Sequence, residues 1–323
     1  MRRLASAIRP RRPGMTSFRA VLLLGALAGT AAIAAAAVLT ARVLIPFASA
    51  CVQACARDPF LMTMARGAAV LSVVAVASGL VVGGIVLARQ ITATRRLVRR
   101  VESASVAPPL RLAELASELG LGDRLTYVSD PDPYAFCYGF ASPRICISSG
   151  MAQSLSTEEL RAVLLHEQFH LGQHDPLRVL ASRIAAGALY LLPLAADLRD
   201  RYLVEKELRA DAHVVGESSA QALASALLKL YRNGGSHSVA EMAAAAVGPF
   251  SIMTARIHHL ARASGPVMPL RFGRVAATAV MAGLVLALTV GSSYAADRSA
   301  PAGKSCCASV TYCNGAGGVR QPE

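Results

Sequence analysis

Three long runs without a charged side chain constrain this chain more than any other feature of its sequence. They cover residues 20–41, 67–88 and 275–296, and each is about 22 residues long. As an α-helix such a run would extend about 33 Å, enough to cross the roughly 30 Å hydrocarbon core of a bilayer. The sequence therefore predicts three transmembrane helices, with the lipid bilayer as a partner. For the first run a cleavable signal peptide is the alternative, but its length favours an uncleaved anchor.

The basic residues predict the orientation of these helices. The net charge of +13 would also suit a nucleic-acid binder, but the arginines stand in blocks beside the apolar runs, which is typical of membrane topology. We therefore predict no direct contact with nucleic acid. In the predicted multi-pass cell-membrane protein, the basic tail 1–19 and basic linker 89–108 are cytoplasmic, as is the domain that follows. The loop 42–66 and the tail 297–323 are extracytoplasmic.

A short histidine motif marks the candidate site. His166 and His170 are four residues apart, so on a helix both imidazoles can reach one metal ion, while Glu167 can reach a water at that ion. Residues 156–159 have the pattern of a capping box, and apolar residues follow at helical spacing, which predicts a helix over roughly 157–173. The alternative interpretation is a pair of surface histidines on a solvated helix face.

A catalytic zinc needs a third protein ligand, and the best candidate is Glu207. Asp211 lies four residues further along the same predicted helix face, so it can orient a ligand histidine by a hydrogen bond from outside the metal site. Ala210 between them allows a second helix to approach closely. Glu205 points to a different face, so we do not expect it to bind the metal.

The two motifs together resemble those of the gluzincin membrane peptidases. An H-E-x-x-H motif followed by E-x-x-A-D is found both in the HtpX and CAAX-prenyl-protease group and in the BlaR/MecR-type antirepressor peptidases. Three details favour the second group: Asp175 after the histidine motif, the apolar segment 191–194 with its proline, and the segment 143–150. The resemblance covers roughly residues 109–262. One departure is the absence of tryptophan, which we expect to alter packing only.

This resemblance implies a chemistry for named residues. His166, His170 and Glu207 would bind one Zn²⁺ per chain, and Glu167 would be the catalytic base. Asp175, like Asp211, would contact the ligands from outside the metal site. The fold expected is that of a mainly α membrane protein, with transmembrane helices and a small α+β zinc metallopeptidase domain of gluzincin type at 109–265.

Between the second apolar run and the histidine motif, the pattern predicts a helix at 110–121 and short strands at 125–128, 134–140 and 144–148. A strand at the edge of this sheet could bind an extended peptide substrate. We assign that role to the segment formed by Arg144, Ile145, Cys146 and Ile147, although the strands would also serve to complete the core. Further amphipathic helices are predicted at 221–231 and 251–263.

The apolar stretch 184–196 separates the two motifs. As a helix it would reach only about 20 Å, and one complete crossing would put Glu207 on the opposite side of the membrane from His166. This stretch is therefore either buried in the domain or dips into the membrane and returns.

The sequence favours an integral-membrane zinc endopeptidase that cleaves a protein or peptide at the cytoplasmic membrane face. By the resemblance, regulatory proteolysis is expected, with a transcriptional repressor as one candidate substrate. The alternatives are an HtpX-like quality-control protease and a non-catalytic signalling scaffold with a structural zinc site.

Glycines and cysteines leave further questions open. The spacings Gly25-x-x-x-Gly29 and Gly79-x-x-x-Gly83 allow either pairing of the two helices within the chain or a homodimer. Cys137 and Cys146 fall in the predicted cytoplasmic region, where thiols stay reduced. The other cysteines would face outward, where disulfides are allowed: Cys51, Cys55, Cys306, Cys307 and Cys313.

Overall fold

The structure is a computed structural model that describes residues 16–39, 59–232, 256 and 270–299. All five predicted outward cysteines lie outside the described residues, and so does the predicted helix 251–263 apart from Arg256. The described part is mainly helical and contains one small sheet, as the sequence predicts.

The elements follow one another along the chain in a simple order. The helices are α1 (Thr16–Leu39), α2 (Pro59–Ser103), α3 (Leu110–Glu118), α4 (Ser149–Ser154), α5 (Thr157–Gln173), α6 (Asp175–Ala188), α7 (Pro193–Glu217), α8 (Ala220–Arg232) and α9 (Phe272–Ser299). The strands are β1 (Ser105–Val106), β2 (Leu125–Val128), β3 (Ala135–Tyr138) and β4 (Arg144–Ser148).

The chain divides into two compact units. The first unit comprises residues 1–23, 83–187 and 195–270, and it contains the sheet and both motifs. The second unit comprises residues 24–82, 188–194 and 271–323.

In the first unit the four strands lie in the order β1-β2-β4-β3. Strands β2 and β4 are parallel, whereas β1 pairs with β2 and β3 pairs with β4 in antiparallel fashion. Side chains alternate across the strands, so Ile145 and Ile147 face a core that includes Leu164 of α5. Cys146 faces the opposite core, which the C-terminal part of α2 completes with Leu97 and Val101.

Two predictions about this unit are wrong. The segment 89–108 is not a linker, because α2 continues to Ser103 and buries Leu97 and Val101 completely, and β1 then joins the sheet. The segment Arg144–Ser148 is not an edge strand, because β4 pairs with β2 on one side and with β3 on the other. Its backbone groups are used in the sheet, so a substrate cannot add to it.

In the second unit the described residues include the apolar part of α2. The segment Arg66–Ser103 is the one helix in the described part that is long and apolar enough to cross a membrane, with a mean hydropathy of 2.6 in its most apolar stretch. Shorter apolar helical segments occur at Phe18–Ala31 and Phe272–Leu288. One predicted span is therefore supported by length and composition, and the three-span topology and its orientation stay predictions.

Candidate metal centre

Helix α5 carries the histidine motif and begins where the sequence predicts. The Ser156 side chain accepts a hydrogen bond from the Glu159 N–H at 3.2 Å, and the Glu159 carboxylate accepts one from the Ser156 N–H at 2.7 Å. This capping box satisfies two of the donors that a helix start would otherwise leave unpaired. The helix ends at Gln173, and His174 follows in the left-handed conformation with a φ of 53°.

The Glu159 carboxylate also ties α5 to α8. It accepts hydrogen bonds from the Ser225 hydroxyl at 2.6 Å and from Lys229 Nζ at 2.7 Å. Burial raises the pKa of this carboxyl, but the hydrogen bonds from Lys229, Ser225 and the Ser156 backbone outweigh burial and lower the pKa to about 2. Glu159 therefore stays ionised over a wide pH range and fixes the start of the motif helix.

Three potential ligand atoms meet between α5 and α7. His166 Nε2 lies 3.1 Å from His170 Nε2 and 3.2 Å from Glu207 Oε2, and His170 Nε2 lies 3.6 Å from Glu207 Oε1. Among the described residues these three side chains form a group that could hold a metal ion. Glu205 does not join them; it pairs instead with Arg201 at 2.9 Å.

The spacing of these atoms fits a tetrahedral ion. Around zinc with bonds of about 2.0–2.1 Å, tetrahedral ligand atoms lie about 3.3 Å apart. The two imidazole nitrogens lie 3.1 Å apart, His166 Nε2 lies 3.2 Å from one Glu207 oxygen and His170 Nε2 lies 3.6 Å from the other, which is close to that value. Two imidazoles and one carboxylate also leave a fourth position open, which is the donor set of catalytic rather than structural zinc sites.

Each histidine has a buried carboxylate on its other ring nitrogen. His170 Nδ1 lies 2.6 Å from Asp175 Oδ2, and His166 Nδ1 lies 3.0 Å from Asp211 Oδ1. A carboxylate at Nδ1 keeps the proton there, which leaves Nε2 free to bind a metal. The structure thus brings Asp175 and Asp211 to the positions in which they can orient the two imidazoles.

Two cations at the site were not predicted from the sequence. Lys206 is almost fully buried, and its Nζ donates to Glu207 Oε1 at 2.6 Å. Arg256 donates to Asp211 Oδ1 from Nη2 at 2.7 Å and to Asp211 Oδ2 from Nε at 3.0 Å. Its Nη1 also lies 3.4 Å from Glu207 Oε2. Its Nη2 lies 3.2 Å from His166 Nδ1 as well. Both cations therefore act on carboxylates that face the histidines, and Arg256 also contacts a histidine directly.

These charges shift the acidity of the site. Burial raises the pKa of Asp211, but the charge of Arg256 outweighs it and lowers the pKa to about 2. Burial also opposes ionisation of Glu207, yet Lys206 and His170 hold its pKa well below the ordinary range. For His170, burial lowers the pKa, but the charge of Glu207 outweighs it and the result is a pKa of about 9. Both carboxylates are therefore ionised at neutral pH.

Glu167 and strand β3 complete the surroundings. Glu167 is buried next to His166 and contributes to the negative charge that raises the pKa of Arg256 against the effect of burial.

The backbone carbonyl of Tyr134 accepts a hydrogen bond from the Ser148 N–H, so these two residues form a hydrogen-bonded pair of the antiparallel ladder. Because such pairs alternate along a strand, the backbone groups of Ala135 and Cys137 point away from β4. Strand β3 is thus the outermost strand of the sheet on this side among the described residues, although Cys137 is only 3% exposed.

Two imidazoles and a carboxylate on two helices, with a glutamate beside the first histidine, are typical of a metal-dependent hydrolase. A family model described as BlaR1 peptidase M56 matches residues 20–260. The chain therefore belongs to the BlaR1 peptidase M56 family, which confirms the resemblance seen in its motifs. The matched range also contains both unpredicted cations.

Two curated relatives match shorter parts of the chain. A protease HtpX homolog of Caldanaerobacter subterraneus subsp. tengcongensis is 35% identical over 83 residues, which cover 24% of this chain and 27% of the relative. A protease HtpX homolog of Aeropyrum pernix is 37% identical over 94 residues, which cover 28% of this chain and 27% of the relative. The chain thus spans about a quarter of the length of the curated relatives that it matches.

Proposed function

We propose that this chain is an integral-membrane zinc endopeptidase in which His166, His170 and Glu207 hold the zinc ion. The observation behind the proposal is the convergence of two imidazole nitrogens and the Glu207 carboxylate, whose ligand atoms all lie within 4.8 Å of one another. Two imidazoles and one carboxylate at this spacing suit a tetrahedral site with one open position. The match of the chain to a peptidase family also supports the proposal.

In this mechanism the protein residues position and move protons. A zinc ion held there would polarise the substrate carbonyl and make water more acidic. Glu167 takes the proton of the attacking water and passes it to the leaving amine, which needs a carboxylate that is not itself a ligand. Asp175 and Asp211 hold the Nδ1 protons, so both imidazoles keep Nε2 towards the ion.

Strand β3 is the better candidate for binding substrate now that β4 is excluded. The backbone N–H and C=O groups of Ala135 and Cys137 point away from β4, at the outer strand of the sheet, so substrate would have to displace whatever covers Cys137. An extended peptide that pairs with these groups would gain main-chain hydrogen bonds that do not depend on its sequence. Cleavage specificity would then depend on the side chains that flank this edge.

The biological role has two candidate forms. Regulatory cleavage of one cytoplasmic protein, such as a transcriptional repressor, is favoured by the family match over residues 20–260. Quality control is favoured by the two HtpX homologs, but each covers about a quarter of this chain. A non-catalytic scaffold is disfavoured, because a structural zinc site has no use for Glu167.

The activity test uses the full chain in lipid nanodiscs. After removal of metal with a chelator, fluorescently labelled casein should not be cut, and stoichiometric Zn²⁺ should restore cleavage. A library of folded repressor-type proteins then separates the two roles: cleavage of one member at one site supports regulation, and cleavage of casein alone supports quality control. Metal-replete chain that cuts neither substrate would contradict the proposed activity.

A test of the proposed membrane orientation needs a cysteine that is accessible to thiol reagents. Cys137 and Cys146 are buried, so their failure to react would not report the side of the membrane. Leu110 is 74% exposed, and Leu110→Cys supplies an accessible thiol in the first unit. In a background without the five predicted outward cysteines, an impermeant reagent should label Leu110→Cys in broken cells but not in intact cells. Labelling in intact cells would reverse the proposed topology.

A further inference from the structure

The apolar stretch between the two motifs forms a helical hairpin. Helix α6 ends at Ala188, a turn follows, and α7 begins at Pro193. The sequence left open whether residues 184–196 are buried or dip into the membrane. The contacts of the turn with α2 and α9 bear directly on that question.

The turn lies against the middle of the apolar part of α2. Tyr190 Oη lies 3.0 Å from Ser78 Oγ, and a Cβ on Gly79 would come within 2.5 Å of the carbonyl oxygen of Ala188. Only glycine at position 79 permits this approach without displacing the backbone of the hairpin. The contact is therefore built into the packing of the second unit.

The position of Ser78 along α2 sets the depth of this contact. Counting from Ser78 to Arg89 and to Arg66 gives about 11 and 12 residues, or roughly 17 Å in each direction. Half of a bilayer core is about 15 Å. If α2 crosses a bilayer with its charged ends at the two surfaces, Ser78 lies near the midplane, and so does the Tyr190 hydroxyl.

Two donors of the turn have partners within the protein, as an apolar environment favours. Ser78 Oγ donates its single proton to Ala75 O at 2.9 Å, so Tyr190 must donate to Ser78. Leu192 N–H donates to Leu189 O at 2.8 Å.

The backbone at the start of α7 also avoids an unpaired donor. Pro193 at the first position of α7 has no N–H, and Leu194 N–H donates to Thr278 Oγ1 at 3.0 Å. In water these donors would not need protein partners, whereas in hydrocarbon each unpaired group would cost several kcal/mol.

Within the described part of the chain, the outer side of the turn is apolar and partly exposed. Residues 184–196 carry no charge, and the first charged side chains on either side are Arg183 and Asp197. Leu191 is 37% exposed and Tyr190 is 48% exposed. Arg183 donates to Gln90 at 3.0 Å, directly after Arg89 at the end of the uncharged run. The uncharged part of the hairpin thus begins beside the point at which the uncharged run of α2 ends.

We propose that the turn at residues 189–192 is inserted into the acyl-chain region of the bilayer at the depth of Ser78. This inference rests on the proposed membrane location of α2 and goes beyond it, because it makes a segment between the two metal-binding motifs part of the membrane structure. The helix that begins with Asp175 and the helix that carries Glu207 are then joined inside the lipid.

The absence of tryptophan from the chain makes the test direct. Leu191→Trp places one fluorophore at the turn, Leu80→Trp places one on α2 near Ser78, and Leu177→Trp places one near the start of α6. The replaced side chains are 37%, 64% and 47% exposed, so each position can accept the larger ring. Each full chain is reconstituted in bilayers with bromine near the ends of the acyl chains, and in unbrominated bilayers as the reference.

We expect bromine to quench positions 191 and 80 to a similar extent, while aqueous acrylamide quenches position 177 only. If bromine quenches the tryptophan at position 80 but not the one at position 191, the turn does not lie among the acyl chains and the inference is wrong. This holds whether acrylamide reaches the turn or whether protein, including a second copy of the chain, shields it. No quenching at position 80 would instead overturn the membrane location of α2. Zinc content equal to that of the parent chain confirms folding, and Tyr190→Trp repeats the measurement if Leu191→Trp fails this check.

Discussion

Replacing Arg256 should weaken metal binding even though this residue is not a ligand. Arg256 donates two hydrogen bonds to Asp211, at 2.7 and 3.0 Å, and Asp211 is fully buried. In Arg256→Met, Asp211 keeps His166 Nδ1 as a partner at 3.0 Å but loses both bonds from the guanidinium, and His166 Nδ1 loses its 3.2 Å contact with Nη2. The carboxylate that orients His166 is then held at one oxygen instead of two.

The size of the effect follows from this geometry. Loss of a partner that orients a metal ligand typically lowers affinity 10- to 100-fold, or about 1.4–2.7 kcal/mol. Leaving a buried carboxylate without its cation costs about 3–5 kcal/mol of folding free energy, and the remaining bond from His166 favours the lower end. Arg256→Lys keeps the charge but not the paired donors, so its zinc affinity should fall between those of Arg256→Met and the parent chain.

The assay is competition for Zn²⁺ against a chromogenic chelator, with the purified full chain in detergent. Arg161→Met is the matched control, because Arg161 pairs with Glu118 at 2.7 Å on the exposed surface, where such pairs contribute about 0–1 kcal/mol. The control should bind Zn²⁺ like the parent. If folded Arg256→Met also binds Zn²⁺ like the parent, Arg256 does not position His166.

Three further predictions concern the motif helices. Glu207→Ala should lose zinc and Glu205→Ala should keep it, which the zinc content of the two purified variants decides; the reverse result would mean that the wrong carboxylate was chosen. Lys206→Met should lower zinc affinity about 10-fold, because the Glu207 oxygen that it holds at 2.6 Å is released; unchanged affinity in a chelator titration would remove Lys206 from the site. Glu159→Gln should cost about 1–2 kcal/mol at neutral pH. The pKa of Glu159 is lowered from 4.5 to about 2 in the folded chain, so its contribution is present above pH 4.5 and is lost as pH falls towards 2. Unfolding in urea at several pH values should show a smaller loss of stability on acidification for Glu159→Gln than for the parent, and equal losses would contradict this.

The sequence predicts the parts of the site that depend on local spacing. Helix α5 has the predicted bounds because its capping box is a four-residue pattern, and Glu207 rather than Glu205 reaches the histidines because a helix fixes the faces of neighbouring residues. Arg256 follows Asp211 by 45 positions, and no periodicity relates the two. Tertiary packing alone brings them together.

The two errors in the fold have identifiable causes. The run Ile145-Cys146-Ile147 is apolar without alternation, which is the pattern of a strand buried on both faces and should have indicated a central strand. Leu97 and Val101 are four residues apart, which is a helical spacing, but the surrounding arginines favoured the interpretation as a linker.

In the proposed mechanism Glu167 acts as a base beside a metal that it does not bind. The most direct measurement compares Glu167→Gln with the parent chain for bound zinc and for cleavage of labelled casein, or of a repressor substrate once one is found. Glu167→Gln should have the zinc content and thermal stability of the parent, with cleavage reduced by about 10²-fold or more, because the amide cannot accept the proton. Cleavage at the parental rate by zinc-replete Glu167→Gln would contradict the mechanism, and loss of zinc would show that Glu167 is a ligand instead.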